Sequence, residues 1–247
     1  MSIESPSAIV TGASRGIGLG IATLLASRGW GLTIVARDEE RLAGVAGELR
    51  TAGSPVVVVV PADLADSEAP SAIVDAHSAG FPDVSALVLI AGVGSAAPLL
   101  GYPMRRFDKQ FDVNVRAPFA LAAAALPLMR AAAIRDSHQG GRVIALSSLE
   151  GFHPGNGLSA YAASKAALLS LVRSINLEEN GNGIAATAIA PGYVDTVISA
   201  WISGRIPPEE MIPVSDVAAV AELVLTMSIR SVIPEVTMHR RGPPYSA

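Results

Sequence analysis

A phenol and an amine stand four residues apart at Tyr161 and Lys165, in a stretch whose apolar spacing reads as helix. Side chains at i and i+4 share one face, so each reaches the other's neighbourhood. A tyrosine can give or take a proton near neutral pH when a positive charge draws its pKa down from about 10, and Lys165 offers that charge. Such a pair also arises by chance on many helices. Composition argues against chance here, because among 18 basic residues only positions 109 and 165 carry lysine. A compact ammonium can sit beside both a phenol and a ribose hydroxyl, where a guanidinium fork is too large. Thirteen residues before Tyr161, Ser148 closes an apolar run. A hydroxyl at that edge could bond a carbonyl oxygen.

A second chemistry lies near the start of the chain. Thr11, Gly12, Ala13, Ser14, Arg15, Gly16, Ile17 and Gly18 follow the first apolar run directly, and a helical pattern begins inside them. A dinucleotide pyrophosphate needs backbone amides at a helix N-terminus with no Cβ in the way, which glycines at a strand-to-helix turn supply. At the end of the second apolar run, a site for NAD(H) places a carboxylate on the ribose 2′-hydroxyl. This chain has Ala36 there, followed by Arg37. A guanidinium can pair with a 2′-phosphate, and Arg15 could reach the same group, so NADP(H) is expected rather than NAD(H). The competing account leaves both arginines in solvent and gives the ribose to Asp38. Asp63 and Leu64, just past the third apolar run, stand where a side chain could bond an adenine, although Asp63 could equally cap the next helix.

The elements that must hold these residues alternate along the chain. Short apolar runs at 8–10, 32–36, 56–61, 86–90, 142–147, 184–190 and 236–239 read as strands. Helical patterns cover 16–27, 39–49, 68–79, 105–135, 159–180 and 215–227. This order is the mark of βαβ units, so the expected fold is a single doubly wound, Rossmann-type α/β domain over 1–247, with a seven-stranded, mostly parallel sheet. Residues 241–247 read as a loose tail. Half the residues are apolar and 16% are charged, which suits a sheet buried on both faces. The net charge of −4 and the absence of any long basic run argue against a nucleic-acid partner. The chain has no cysteine, which excludes disulfides, a thiolate metal site and a cysteine nucleophile. No basic segment followed by an apolar one precedes Ala8, so no signal peptide is read and the cytoplasm is expected. The apolar run between Arg116 and Arg130 falls short of the roughly 20 residues of a membrane span and reads as a buried or intersubunit helix.

Taken together, the glycine turn, Asn114, Ser148, the segment Tyr161-Ala162-Ala163-Ser164-Lys165, and Pro191-Gly192-Tyr193-Val194-Asp195-Thr196 resemble the short-chain dehydrogenase/reductases. The resemblance runs from about residue 8 to 230. It implies that Tyr161 is the acid in reduction and the base in oxidation, that Ser148 orients the carbonyl, and that Lys165 lowers the tyrosine pKa and holds the nicotinamide ribose. It implies that Asn114 anchors a water relay, that Val194 and Thr196 hold the nicotinamide amide, and that Ala91, Gly92, Pro191 and Gly192 lie against the cofactor. It implies no metal. The activity implied is hydride transfer between NADP(H) and the carbonyl or alcohol of a small substrate, by a homodimer or homotetramer.

Two departures stand out. Ile90-Ala91-Gly92 replaces the usual Asn-Ala-Gly, removing a hydrogen bond that pins that strand, and the end at 234–241 lacks the Asp-Gly-Gly of many acyl-carrier-protein ketoreductases. The stretch 193–213, with Trp201, Ile202, Ile206, Met211 and Ile212, is expected to shape substrate choice, as a lid or as a docked segment. The rival reading is a non-catalytic NADP(H) sensor on the same fold, and a further one keeps the cofactor but epimerises or dehydrates.

Overall fold

The computed structural model describes residues 5–242. Seven strands form one sheet: β1 (Ser7–Thr11), β2 (Gly31–Ala36), β3 (Val57–Pro61), β4 (Ala86–Leu89), β5 (Gly141–Leu146), β6 (Ile184–Pro191) and β7 (Glu235–Met238). Their order is β3-β2-β1-β4-β5-β6-β7, and every neighbouring pair is parallel, more uniform than the mostly parallel sheet expected.

A parallel sheet must be covered on both faces, and β1 shows how the sequence achieves it. Ala8 and Val10 pack with α1 (Gly16–Ser27), α2 (Glu39–Ala52) and α7 (Val214–Thr226), while Ile9 between them packs with α3 (Ala69–Gly80), α5 (Ala117–Arg135) and α6 (Ser159–Glu179). The chain runs outward from β1 in one direction and from β4 in the other. Loops at the carboxyl ends of these two neighbours therefore part and leave a crevice, where ligands of such sheets bind.

The helix expected over 105–135 is interrupted. It begins as α4 (Met104–Phe111), widens into a π-helical turn at Asp112–Arg116 and continues as α5. Pro118 explains part of this, because it has no N–H to give to the Asn114 carbonyl four residues back. The whole helix Met104–Arg135 is long and apolar enough to cross a membrane by length and composition, more than the run between Arg116 and Arg130 suggests. Its Leu121, Ala125 and Met129 are nevertheless core, whereas Phe119 and Ile134 are exposed.

Between β6 and α7, Ile202, Ile206 and Met211 bury one another against Tyr193, so part of 193–213 docks through an apolar cluster of its own. The Trp201 side chain and the tail residues 243–247 lie outside the described residues, and Arg241 and Gly242 form a bend.

Candidate active site

The glycine turn sits at the carboxyl end of β1. Gly12 has φ +69°, and a Cβ there would come within 3.0 Å of the Ala91 nitrogen, so the turns after β1 and β4 touch through it. A Cβ on Gly18 would run into the Gly12 carbonyl oxygen. Arg15 occupies the N-cap of α1 without a side-chain hydrogen bond, and no acidic residue stands in the first turn. Those first amides have no side-chain acceptor and are suited to a phosphate.

A cleft of about 530 Å³ opens in front of them. Of the residues expected to hold a dinucleotide, it is lined by Gly12, Ser14, Arg15, Gly16, Ile17, Gly18, Arg37, Asp63, Leu64, Ala91, Gly92 and Thr196. Pro191, Gly192 and Val194 are not on its wall. The Gly192 amide donates to Met238 O, and Val194 is buried in a bridge to Ile212. That bridge engages Tyr193 O and Asp195 N, which turns Val194's own N–H and C=O to the other edge. Thr196 lies over the glycine turn, its Cγ2 3.3 Å from where a Gly16 Cβ would be.

Asp38 caps α2, its Oδ1 accepting Arg41 N at 3.0 Å. The cap engages this carboxylate, which weakens the account that gives it the ribose. Asp63 does not cap α3: its Oδ1 accepts Ala65 N at 3.0 Å within its own turn. The cleft also holds a cation that sequence reasoning missed. Arg41 donates from Nε to Ser14 O at 2.8 Å and lines the cleft beside Arg37. The signal was present, since Arg37 and Arg41 are four apart at the start of a helix. Lys109 fronts the same cleft, so both lysines of the chain belong to this region.

At the other end, Ser148, Tyr161, Lys165 and Asn114 come together. Ser147 at the end of β5 donates from Oγ to Lys165 O at 3.0 Å, tying strand to helix. The Lys165 ammonium donates to Leu146 O at 2.7 Å and lies 5.7 Å from the centre of the Tyr161 ring. A Cβ on Gly92 would fall 3.3 Å from Asn114 Oδ1 and 3.4 Å from Lys165 Nζ, so two of the expected residues converge on this glycine. Asn114 clamps the chain after β4: its Oδ1 accepts Val93 N at 2.9 Å, and its Nδ2 donates to Val93 O at 2.8 Å and Ser164 Oγ at 3.0 Å.

The gap left by Ile90 is filled from across the sheet. Thr11 Oγ1 accepts Ile90 N at 3.0 Å and Ala91 N at 3.2 Å and donates to Val88 O at 3.3 Å. The strand is pinned after all.

Electrostatics correct one expectation. Burial pushes Tyr161 up to about 12, opposed by the Ser148 hydroxyl facing the phenol and reinforced by the charge of Glu150. The phenol's shift comes from burial, Ser148 and Glu150; the Lys165 amine is directed at a carbonyl, and burial lowers its own pKa to about 8, below which it is charged.

Residues 6–204 match the family model described as short chain dehydrogenase. The chain belongs to that family. It is 32% identical over 193 residues to an uncharacterised oxidoreductase of Staphylococcus aureus strain USA300, covering 78% of this chain and 80% of that protein. Among solved structures it is similar to a metagenomic short-chain oxidoreductase in complex with NADP, with TM-score 0.81, 33% identity and coverage of 96% and 98%. It is also similar to an NADH-dependent reductase responsible for alginate metabolism, with TM-score 0.84, 26% identity and coverage of 95% and 96%. Of these two similar structures one is in complex with NADP and the other is of an NADH-dependent reductase, and the choice here rests on the residues of the cleft.

Proposed function

We propose that this chain, acting as one domain over 1–247, is an NADP(H)-dependent oxidoreductase of carbonyl and alcohol substrates, with Tyr161 as its acid and base. The observation that carries the reading is the pairing of two ends across one crevice. Asn114 and Lys165 meet beside Gly92 and Tyr161, faced by Ser148, lies beside Gly94, while Arg37 with Arg41 flanks the cleft where Ala36 leaves room for a 2′-phosphate. The metagenomic relative bound to NADP supports the same choice.

The residues fit a dinucleotide, because the cradle at Gly12 and Gly18 closes if either gains a Cβ. Gly12, Gly16 and the first amides of α1 would hold its pyrophosphate, Arg37, Arg41 and Arg15 its 2′-phosphate, and Lys165 with Thr196 its nicotinamide end. The bound nicotinamide supplies or accepts a hydride at the reacting carbon. Ser148 orients the carbonyl oxygen toward Tyr161. As negative charge grows on that oxygen, Tyr161 gives it the phenolic proton. A phenol held at about 12 keeps its proton at neutral pH, which suits it to act as the acid of a reduction. The Asn114 carbonyl, to which Pro118 has no N–H to give, would anchor a water relay to Lys165.

NADPH oxidation against a panel of ketones, aldehydes and quinones tests the activity. Tyr161→Phe should abolish turnover while leaving NADPH affinity nearly unchanged, because only the proton donor is lost. Retention of most activity in that variant on a good substrate would refute the assignment, and NADPH binding without turnover of any carbonyl would favour the sensor.

A further inference from the structure

The segment between Ser148 and Tyr161 carries a carboxylate that the hydride-transfer chemistry does not use. Glu150 follows Ser148 by two residues, and its backbone N–H donates to Ser148 Oγ at 3.2 Å. Its side chain folds back over the loop that leads to α6, Oε2 accepting Gly155 N at 2.5 Å. The seat is close: a Cβ on Gly155 would lie 3.0 Å from Oε2 and 3.1 Å from Oε1. On the far side of the same loop, Gly157 O accepts Ala97 N at 2.9 Å, joining it to the chain after β4. That chain covers the catalytic phenol, since a Cβ on Gly94 would lie 3.2 Å from the Tyr161 ring. The Glu150 carboxylate is thus clipped onto its own loop at Gly155, and that loop is braced by the chain after β4 that covers the phenol.

We propose that Glu150 is a specificity-determining residue, a fixed negative charge at the substrate end of the site that selects neutral or cationic carbonyl compounds over those carrying a carboxylate or phosphate next to the reacting carbon. The inference rests on the reading of Ser148 and Tyr161 as the reacting centre. Two further observations support it. The charge of Glu150 raises the pKa of both Tyr161 and Tyr193, so its field covers the substrate end from both sides. The cations Arg205 and Arg240 act on Tyr193, not on Tyr161, and Arg240 has the Glu210 carboxylate 3.7 Å away. An anionic substituent beside the reacting carbon would therefore meet Glu150, and the cation nearest the phenol, Lys165, directs its amine at Leu146 O. The alkoxide that forms in reduction already adds negative charge there, and a substrate carboxylate would add a second.

The test pairs pyruvate with its methyl ester, which share a ketone and differ in one charge. Wild type and Glu150→Gln are compared by kcat/KM with NADPH and, separately, by Kd for the protein–NADPH complex from quenching of bound NADPH fluorescence. Glutamine keeps an oxygen for the Gly155 amide, so the loop stays clipped and only the charge is removed. Wild type should favour the ester. Glu150→Gln should improve the acid by roughly ten-fold, the scale of one partly screened charge interaction, and leave the ester within about two-fold. An acid-to-ester ratio that the substitution does not move overturns the proposal, as does equal binding of acid and ester to wild type. If neither compound is reduced but the binding ratio shifts as expected, the activity proposed above is at fault and the role of Glu150 stands.

Discussion

Replacing Lys165 by methionine removes a buried charge while keeping the length of the side chain, and its effect belongs in the slope of stability against pH. Lys165 is 3% exposed, and burial lowers its pKa from 10.5 to about 8. Below the folded-state value the amine is charged in both states, and the cost of burying that charge is fully present. As pH rises from 8 toward 10.5 the folded chain has released the proton while the unfolded chain still holds it, so the cost is relieved and stability increases. With these two values the gain between pH 7 and pH 9.5 is about 2 kcal/mol. Tyr161 works in the opposite sense, since its folded pKa of about 12 lies above the ordinary 10.0 and stability falls as pH rises past 10. At pH 9.5 that loss is only a few tenths of a kcal/mol, on the order of 0.2. Lys165→Met also leaves Leu146 O without its donor, which shifts stability at every pH but not the slope. Urea unfolding at the two pH values, at one protein concentration, isolates the term. Wild type should gain about 2 kcal/mol relative to the variant on going to the higher pH. Equal slopes in the two proteins would show that Lys165 is not held neutral by burial and would refute the reasoning.

Arg37→Ala should weaken NADPH by about ten- to a hundred-fold and hardly touch NADH, the value of one charge-assisted hydrogen bond to a phosphate. Arg41→Ala should do the same and cost NADH a little too, because Ser14 O loses its donor; equal losses of both cofactors in fluorescence titration would assign the ribose to another group. Gly94→Ala should cut kcat by several-fold, roughly 1 kcal/mol, at unchanged NADPH affinity, since Asn114 holds Val93 in place and the added methyl must push the Tyr161 ring; an unchanged kcat would show that the ring yields freely. The exposed Phe119 and Ile134 of α5 and Leu177 of α6 are expected to face a second copy. Sedimentation at micromolar concentration should find a dimer or tetramer that Phe119→Glu loosens, and a wild-type monomer would refute this.

Much of the site is legible in the chain because its parts are local. A glycine turn between a strand and a helix, and a tyrosine with a lysine one helical turn on, are arrangements whose geometry is set by neighbours a few residues away. Alternating apolar runs announce a covered parallel sheet for the same reason, and the lysine at 165, one of two in the chain, stands out against a background of arginine. What lay beyond reach depends on which strands end up side by side. Thr11 stands in for the missing asparagine at 90 only because β1 lies next to β4, and the two positions are 79 residues apart. Arg41 joins Ser14 across the carboxyl ends of β1 and β2, and Asn114 clamps Val93 from a π turn that no apolar periodicity encodes. The state of Tyr161 belongs to the same class. Sequence spacing placed an amine within reach of the phenol, but burial of both groups, which only the assembled core imposes, raises one pKa and lowers the other. Spacing along a chain determines which groups can meet, and the low-dielectric surroundings built by the rest of the fold decide how they are charged when they do.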